Sequence, residues 1–216
     1  MADVTQLVTP TDDPAIFDIA GLGQAKIETF YAGRHYDSVY LASGAISTAN
    51  INFFVGVNGR TRQWSSFITD GQLPPTQAMT INKVSATLPQ AVGNVLLDDS
   101  DALKIGSGHM HVAINSKRVI YDQPLYSAQS GDGFTGQTTR QNAGVLTIGV
   151  ANHAGAPELL VAQSLRGRAD SITGYLSFVA PPVAFITAAQ WTAPVLTNGC
   201  VVTANLDGVI VEGINP

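Results

Sequence analysis

Two histidines, His109 and His111, are the residues whose type and spacing come closest to a chemical site. Side chains two positions apart on a β-strand point to the same face, so both imidazoles could bind one metal ion. A catalytic metal needs about three protein ligands, and residues 112–116 supply no carboxylate after the pair. His35 and His153 could complete the site from elsewhere in the chain, but the sequence does not show whether they do. The pattern favours ordinary hydrogen-bonded strand histidines, and we predict no metal site and no cofactor.

The acidic run Asp98-Asp99-Ser100-Asp101 has enough oxygen atoms to suggest a calcium loop. It fails the EF-hand pattern, because the fifth and twelfth positions counted from Asp99 are Leu103 and Met110. A solvated turn is the simpler interpretation. The sequence also lacks the Gly-x-Ser-x-Gly elbow, the Walker loop, His-Glu-x-x-His and any paired cysteine motif. We therefore predict that the protein is not an enzyme and has no catalytic residue.

Aromatic and arginine side chains are the remaining candidates for recognition. Arg60 with Arg62, and Arg166 with Arg168, could anchor carboxylates of a neighbouring subunit, although solvation is favoured for either pair. Aromatic faces could stack on a sugar ring, but core packing is the simpler interpretation for most of them. These aromatic residues are Trp64, Trp191, Phe53, Phe54, Phe67, Phe178 and Phe185.

The elements that position these residues are predicted to be β-strands. Charged residues make up 12% of the chain, against about 25% in a typical domain, and apolar residues make up 45%. Only three Glu and four Lys are present, which disfavours long amphipathic helices, whereas Val, Ile and Thr favour strands. Ten short segments bounded by turn residues predict an antiparallel sandwich or barrel, with a jelly roll preferred. They are residues 26–31, 37–41, 49–57, 78–88, 108–114, 118–122, 145–150, 172–178, 184–187 and 200–206.

Three local features refine this prediction. Apolar and polar residues alternate along residues 79–88 with a phase slip near Lys83, which predicts a β-bulge. The best helical candidate is the segment 157–163. Residues 123–142, rich in Gly, Ser, Gln and Thr, are predicted to form a long surface loop.

The length of 216 residues fits one domain. Residues 1–25 are weakly patterned and are predicted to be an N-terminal arm that orders on partners, and residues 26–216 a single jelly-roll β-barrel domain. The net charge of -5 and the lack of a basic cluster argue against specific nucleic-acid binding. Residues 1–17 lack the pattern of a secretory signal, and no apolar stretch reaches the roughly 20 residues of a membrane-spanning helix.

Three pieces of the sequence carry a resemblance to a family. They are Ile51-Asn52-Phe53-Phe54, then Gln72-Leu73-Pro74-Pro75-Thr76-Gln77-Ala78-Met79-Thr80-Ile81, and finally Val201-Val202-Thr203-Ala204-Asn205-Leu206-Asp207-Gly208-Val209-Ile210. Together they resemble jelly-roll coat proteins of icosahedral, often membrane-containing bacteriophages. In that group an aromatic strand leads through a Leu-Pro turn to a long strand, and a Leu-Asp-Gly hairpin closes the barrel.

The resemblance implies a capsid or coat subunit that associates with copies of itself and with other virion proteins. It also implies a location in the virion after synthesis in the host cytoplasm, with an internal lipid membrane as a further partner in some members. A main coat protein and a minor or vertex component both remain open. The alternative is a carbohydrate- or receptor-binding β-sandwich that uses exposed aromatics and the loop 123–142. A cupin-like metalloenzyme built on His109 and His111 is a third interpretation.

Overall fold

Antiparallel strands dominate the computed structural model, which describes residues 8–10, 16–19, 23–26, 29–57, 60–67, 69–91, 99–128, 137–142, 145–150, 158–167, 169–179 and 192–212. Within these ranges the chain also forms a helix, α1 (Asp99–Gly106), and a 3-10 turn (Leu125–Ala128). The strands are β1 (Val8–Pro10), β2 (Ile16–Ile19), β3 (Gly23–Lys26), β4 (Thr29–Leu41), β5 (Gly44–Ala45), β6 (Ile51–Phe53), β7 (Gln77–Ala91), β8 (His109–Ile114), β9 (Arg118–Pro124), β10 (Gln137–Asn142), β11 (Val145–Val150), β12 (Glu158–Arg166), β13 (Ile172–Ser177), β14 (Val195–Leu196) and β15 (Cys200–Glu212).

Two four-stranded sheets form the main part of the fold. One has the order β12-β7-β15-β4 and the other the order β6-β13-β8-β9, and the neighbouring strands in both are antiparallel. Their buried side chains belong to one core, to which the first sheet contributes Ile81 and Leu206 and the second Phe53 and Ile172. The predicted all-β antiparallel sandwich is therefore confirmed.

The central pair of strands, β7 and β15, contains the predicted bulge. Asp207 pairs with Lys83 whereas Gly208 pairs with Ile81, so β7 has one extra residue at this point. A Cβ atom on Gly208 would lie 1.7 Å from the carbonyl oxygen of Thr80, and only glycine fits here. The phase slip in the sequence thus marks a real change of register.

Most predicted strands are confirmed with altered bounds. Residues 37–41 are the second half of the longer strand β4, and the predicted strand 49–57 contracts to β6. Residues 184–187 lie outside the described residues.

The helix predicted at 157–163 is wrong for residues 158–163, because they belong to β12. Glu158 and Gln163 pair with Lys83 and Ile81 of β7, and these pairings override the local helical preference. The solvated turn predicted at 98–101 is also wrong for the residues that the structure describes, since α1 begins at Asp99 and Asp101 is fully buried. Asp101 accepts hydrogen bonds from the backbone N–H groups of Thr197 and Asn198 and from Lys104 Nζ.

The long loop predicted at 123–142 is wrong for the residues of this segment that the structure describes. Strand β9 continues to Pro124, the 3-10 turn follows, and residues 137–142 form β10, which pairs with β11. Residues 129–136 lie outside the described residues. At the other end of the chain, β1, β2 and β3 form a three-stranded sheet of their own. The division into an arm and a domain at residues 25 and 26 stays a prediction.

Candidate functional site

Asp37 on β4 is a fully buried carboxylate at the edge of the first sheet. Its Oδ2 accepts a hydrogen bond from the backbone N–H of Phe54 at 2.6 Å, and its Oδ1 accepts one from Arg60 Nη1 at 2.9 Å. Phe54 has a φ of 63°, in the left-handed region that bulky residues rarely adopt. Burial raises the pKa of Asp37, and the contacts with Phe54 and Arg60 oppose that rise. The carboxylate thus ties β4 to the turn that follows β6 in the second sheet.

Residues 61–66 cover the outer edge of β4 beside this pair. The Ser38 N–H donates to the Trp64 carbonyl oxygen at 2.9 Å, and the Ser66 N–H donates to the Tyr36 carbonyl oxygen at 2.9 Å. The Tyr36 hydroxyl donates to the Arg62 carbonyl oxygen. An open sheet edge leaves backbone groups unpaired, and these bonds satisfy several of them. They also fix Trp64 next to β4.

A groove of about 670 Å³ opens where β4, β6 and residues 60–64 meet. Two aromatic rings face it, since Tyr40 is 60% exposed and Trp64 is 38% exposed. A Cβ on Gly199 would lie 2.1 Å from the Tyr40 hydroxyl oxygen, so this ring lies directly against the backbone. We call this feature the edge groove. Its lining residues are Ser38, Val39, Tyr40, Ile51, Asn52, Arg60, Trp64 and Val201.

The charge of Arg60 in the edge groove is neutralised within the chain. Its Nη1 donates to both Asp37 Oδ1 and the Ser38 carbonyl oxygen at 2.9 Å, and Nη2 lies 3.4 Å from the Val55 carbonyl oxygen. Because the buried carboxylate already pairs with the guanidinium, the groove does not favour an anionic ligand. Aliphatic and aromatic walls with a few polar groups suit an apolar or ring-stacking occupant.

The comparisons with known proteins give one result. No protein-family model, curated protein or solved structure matches this chain. None of the helices within the described residues has the length and apolar character needed to cross a membrane.

The outer face of β8 holds His109 and His111, at the spacing that places both side chains on one side. His111 Nδ1 lies 3.2 Å from Asp122 Oδ1, and His109 Nε2 lies 3.6 Å from the same oxygen. Asp122 is the residue of β9 that pairs with His111. The His111 ring also stacks on Tyr175 of β13, with 4.8 Å between ring centroids. A carboxylate and a tyrosine therefore fix the orientation of His111.

Sequence reasoning missed Asp122 because the carboxylate comes from the next strand instead of the residues after His111. The left-handed conformations of Asn115 and Ser116 close the β8–β9 hairpin, and its register brings Asp122 into place. In the part of the chain that the structure describes, no group of three or more His, Cys, Asp or Glu side chains is arranged to hold a metal ion. His35 lies in the other sheet, where burial lowers its pKa. His153 lies outside the described residues.

The predicted solvation of the arginine pairs is wrong for Arg60 and Arg166. Arg60 pairs with Asp37, and Arg166 binds Asp170 through Nε at 2.6 Å and Nη2 at 3.1 Å. Burial alone would raise the pKa of Asp170, but hydrogen bonds from Arg166 and Asn115 outweigh it and lower that pKa. Arg62 is exposed, and Arg168 lies outside the described residues.

Core packing is confirmed for four of the aromatic candidates, because Phe53, Phe54, Phe67 and Phe178 are buried. Trp64 differs and faces the edge groove, while Trp191 and Phe185 lie outside the described residues. Neither Tyr40 nor Asp37 was among the candidates predicted from the sequence. The position of Tyr40 on a predicted strand was the available signal, since alternate strand residues face outward.

Proposed function

We propose that this chain is a structural subunit of a virus shell, a capsid or coat protein that associates with copies of itself and with other virion proteins. The observation that carries the proposal is the order of the strands in the two four-stranded sheets. In chain order these strands are β4, β6, β7, β8, β9, β12, β13 and β15. First pairs with last, second with seventh, third with sixth and fourth with fifth.

This nested pairing supports the finer interpretation of the sandwich as a jelly roll. A long antiparallel hairpin that is rolled up pairs its strands from both ends inward, and eight strands in two sheets result. Viral capsid domains are prominent among proteins with this arrangement, together with lectins and cupins. Because a fold does not by itself imply a function, the surface must decide between these classes.

The described surface favours association. Several large apolar side chains are exposed, and charged residues make up only 12% of the chain. Interface cores are depleted in charged residues, and large apolar patches on a protein surface mark interaction sites. The exposed apolar residues include Tyr31, Tyr40, Val55, Trp64, Val119, Leu160, Val161, Val179 and Val195. A shell subunit with covered flanks fits this surface, and we assign it no catalytic role.

Sedimentation of the full chain over roughly 1–100 µM tests the proposal, because a standard interface of about 1,600 Å² holds many complexes in the micromolar to picomolar range. We expect oligomers whose size grows with concentration above the 22.6 kDa monomer. Purified particles that contain the chain in stoichiometric amounts would support a place in the virion. A monomer at every concentration, together with absence from particles, would refute the proposed function.

A carbohydrate-binding module is the second candidate, and the aromatic walls of the edge groove favour it. The side chains of Tyr40 and Trp64 are exposed at the groove, and Asn52 is exposed beside them. Such a module would bind a glycan through Trp64, so a glycan array and the quenching of tryptophan fluorescence measure it directly. Binding that Trp64→Ala abolishes in a monomeric protein would favour this candidate over the shell subunit.

A further inference from the structure

Strand β12 carries an apolar projection and is the first strand of its sheet among the described residues. Glu158 pairs with Lys83 and Gln163 pairs with Ile81, so five positions of β12 correspond to two along β7. The excess residues bulge away from the ladder. Two of these residues are apolar and exposed: Leu160 is fully exposed, at 104%, and Val161 is 53% exposed. We call residues 160 and 161 the projection.

The projection is held in place by its neighbours. Leu159 packs against the core, and Gln163 Nε2 donates a hydrogen bond to the Val161 carbonyl oxygen at 2.9 Å. An aliphatic side chain that is fully exposed on an anchored segment can be buried by a partner at little cost in conformational entropy. This arrangement distinguishes the projection from a single exposed residue on a loose loop.

The projection and the edge groove lie on opposite edges of the same sheet. The order β12-β7-β15-β4 places the projection on the first strand and the groove wall, Ser38 to Tyr40, on the last. A twofold dimer brings the same surface of both copies together. The projection and the edge groove lie on opposite edges, so one twofold interface cannot pair them. They meet when copies associate head to tail, which generates a ring when the rotation closes.

We propose that the projection of one copy docks into the edge groove of a second copy. A cavity of about 670 Å³ falls within the range of about 300–1,000 Å³ that encloses a small ligand, so two aliphatic side chains fit. The pairing of Arg60 with Asp37 means that an apolar occupant leaves no unpaired charge in the groove. This inference rests on the proposed function and names the partner and the contact.

The test measures self-association of the full chain by sedimentation. Leu160→Asp would place a charge in an apolar groove. It is therefore expected to raise the dissociation constant of self-association at least tenfold. Leu160→Ser is the milder variant if the first folds poorly, and circular dichroism checks the fold of each. Val161→Asp and Val119→Asp form a matched pair, since these valines are 53% and 51% exposed but Val119 lies on β9 of the other sheet. Only Val161→Asp is expected to weaken association.

A mixing experiment tests the head-to-tail geometry. Leu160→Asp removes the projection and Tyr40→Asp blocks the groove, so each variant alone is expected to self-associate at least tenfold more weakly than the wild type. Their equimolar mixture retains one intact projection and one intact groove, and it is expected to form heterodimers that do not grow further. A mixture that stays monomeric, or that forms large oligomers, would overturn the contact.

The outcomes separate this contact from the proposed function. Wild-type oligomers that Leu160→Asp and Tyr40→Asp both leave unchanged would overturn the contact and leave the shell subunit standing. A wild-type monomer at all concentrations would overturn both. A third outcome is that the protein binds a glycan, that Tyr40→Asp abolishes this binding and that Leu160→Asp leaves association unchanged. This outcome would overturn the contact and assign the groove to a sugar.

Discussion

Replacing Asp37 by alanine is expected to destabilise the sandwich by about 3 kcal/mol, the lower end of the usual cost of removing one partner of a buried ion pair, because the Arg60 side chain keeps 30% exposure. The carboxylate is fully buried and accepts two hydrogen bonds, from Phe54 N–H at 2.6 Å and Arg60 Nη1 at 2.9 Å. A hydrogen bond to a charged group contributes about 1.5–3 kcal/mol, so two of them account for the estimate. The positive φ of Phe54 adds to it, because the strained turn loses the group that holds it.

Urea unfolding followed by tryptophan fluorescence measures this loss. Arg60→Ala is the partner variant, and the double variant completes a cycle in which we expect a coupling energy of at least about 1 kcal/mol. A loss below about 1 kcal/mol for Asp37→Ala, or strictly additive effects, would refute the account of Asp37 as the link between the two sheets.

The pH dependence supplies a second check on Asp37. Burial raises its pKa in the folded state, and Arg60 opposes the rise, so Arg60→Ala should raise that pKa further. A carboxyl group whose pKa is higher in the folded than in the unfolded state stabilises the fold in its protonated form. This stabilisation is complete below the pKa of the unfolded state, about 3.9, and is lost as the pH rises through the pKa of the folded state. Stability measured relative to wild type should therefore fall for Arg60→Ala as the pH rises above the unfolded pKa of Asp37, about 3.9. A flat difference would contradict the assignment.

Two further predictions concern packing. Burial and Asp101 raise the pKa of the Cys200 thiol from 9.0 to about 11. The stability that this shift contributes, about 3 kcal/mol, is fully present below about pH 9 and is lost as the pH rises to about 11. Urea unfolding of wild type and Cys200→Ala between pH 8 and 10.5 measures it, and parallel pH profiles would contradict it. Gly208→Ala is expected to cost about 3 kcal/mol or more because its Cβ would meet the Thr80 carbonyl oxygen at 1.7 Å. Gly56→Ala, with open space but a φ of +66°, should cost only about 1–2 kcal/mol, and equal losses in thermal unfolding would contradict the steric argument.

The fold was predictable from the sequence where alternation of apolar and polar residues is strong. Residues 79–88 show both the strand and its bulge, because one face of β7 packs in the core. The helix predicted from residues 157–163 does not form at 158–163, since Glu, Leu, Ala and Gln favour a helix locally while pairing with β7 decides the structure. Propensity could not show that Leu160 faces solvent, because its exposure results from a register shift relative to another strand.

The edge groove was harder to predict, because its parts come from separate segments. Asp37 and Arg60 are 23 positions apart and meet only after β4 and β6 have entered different sheets. No local pattern marks an aspartate on a strand as buried, since most aspartates are exposed. Trp64 was a candidate from its residue type, but its place in the groove depends on the bond between Ser38 and its carbonyl oxygen.

The two edges of the sheet β12-β7-β15-β4 bear on how copies of this chain can assemble. An open edge invites backbone pairing between molecules, which extends without limit into fibres. Residues 61–66 cover part of the β4 edge, and the bulge at Leu160 and Val161 interrupts the β12 edge. The covering segment and the bulge both hinder backbone pairing between molecules. Contacts between copies at these edges must therefore be made by side chains. Association through a projection and a groove has a fixed geometry, and a fixed geometry allows the copies to close into a finite assembly.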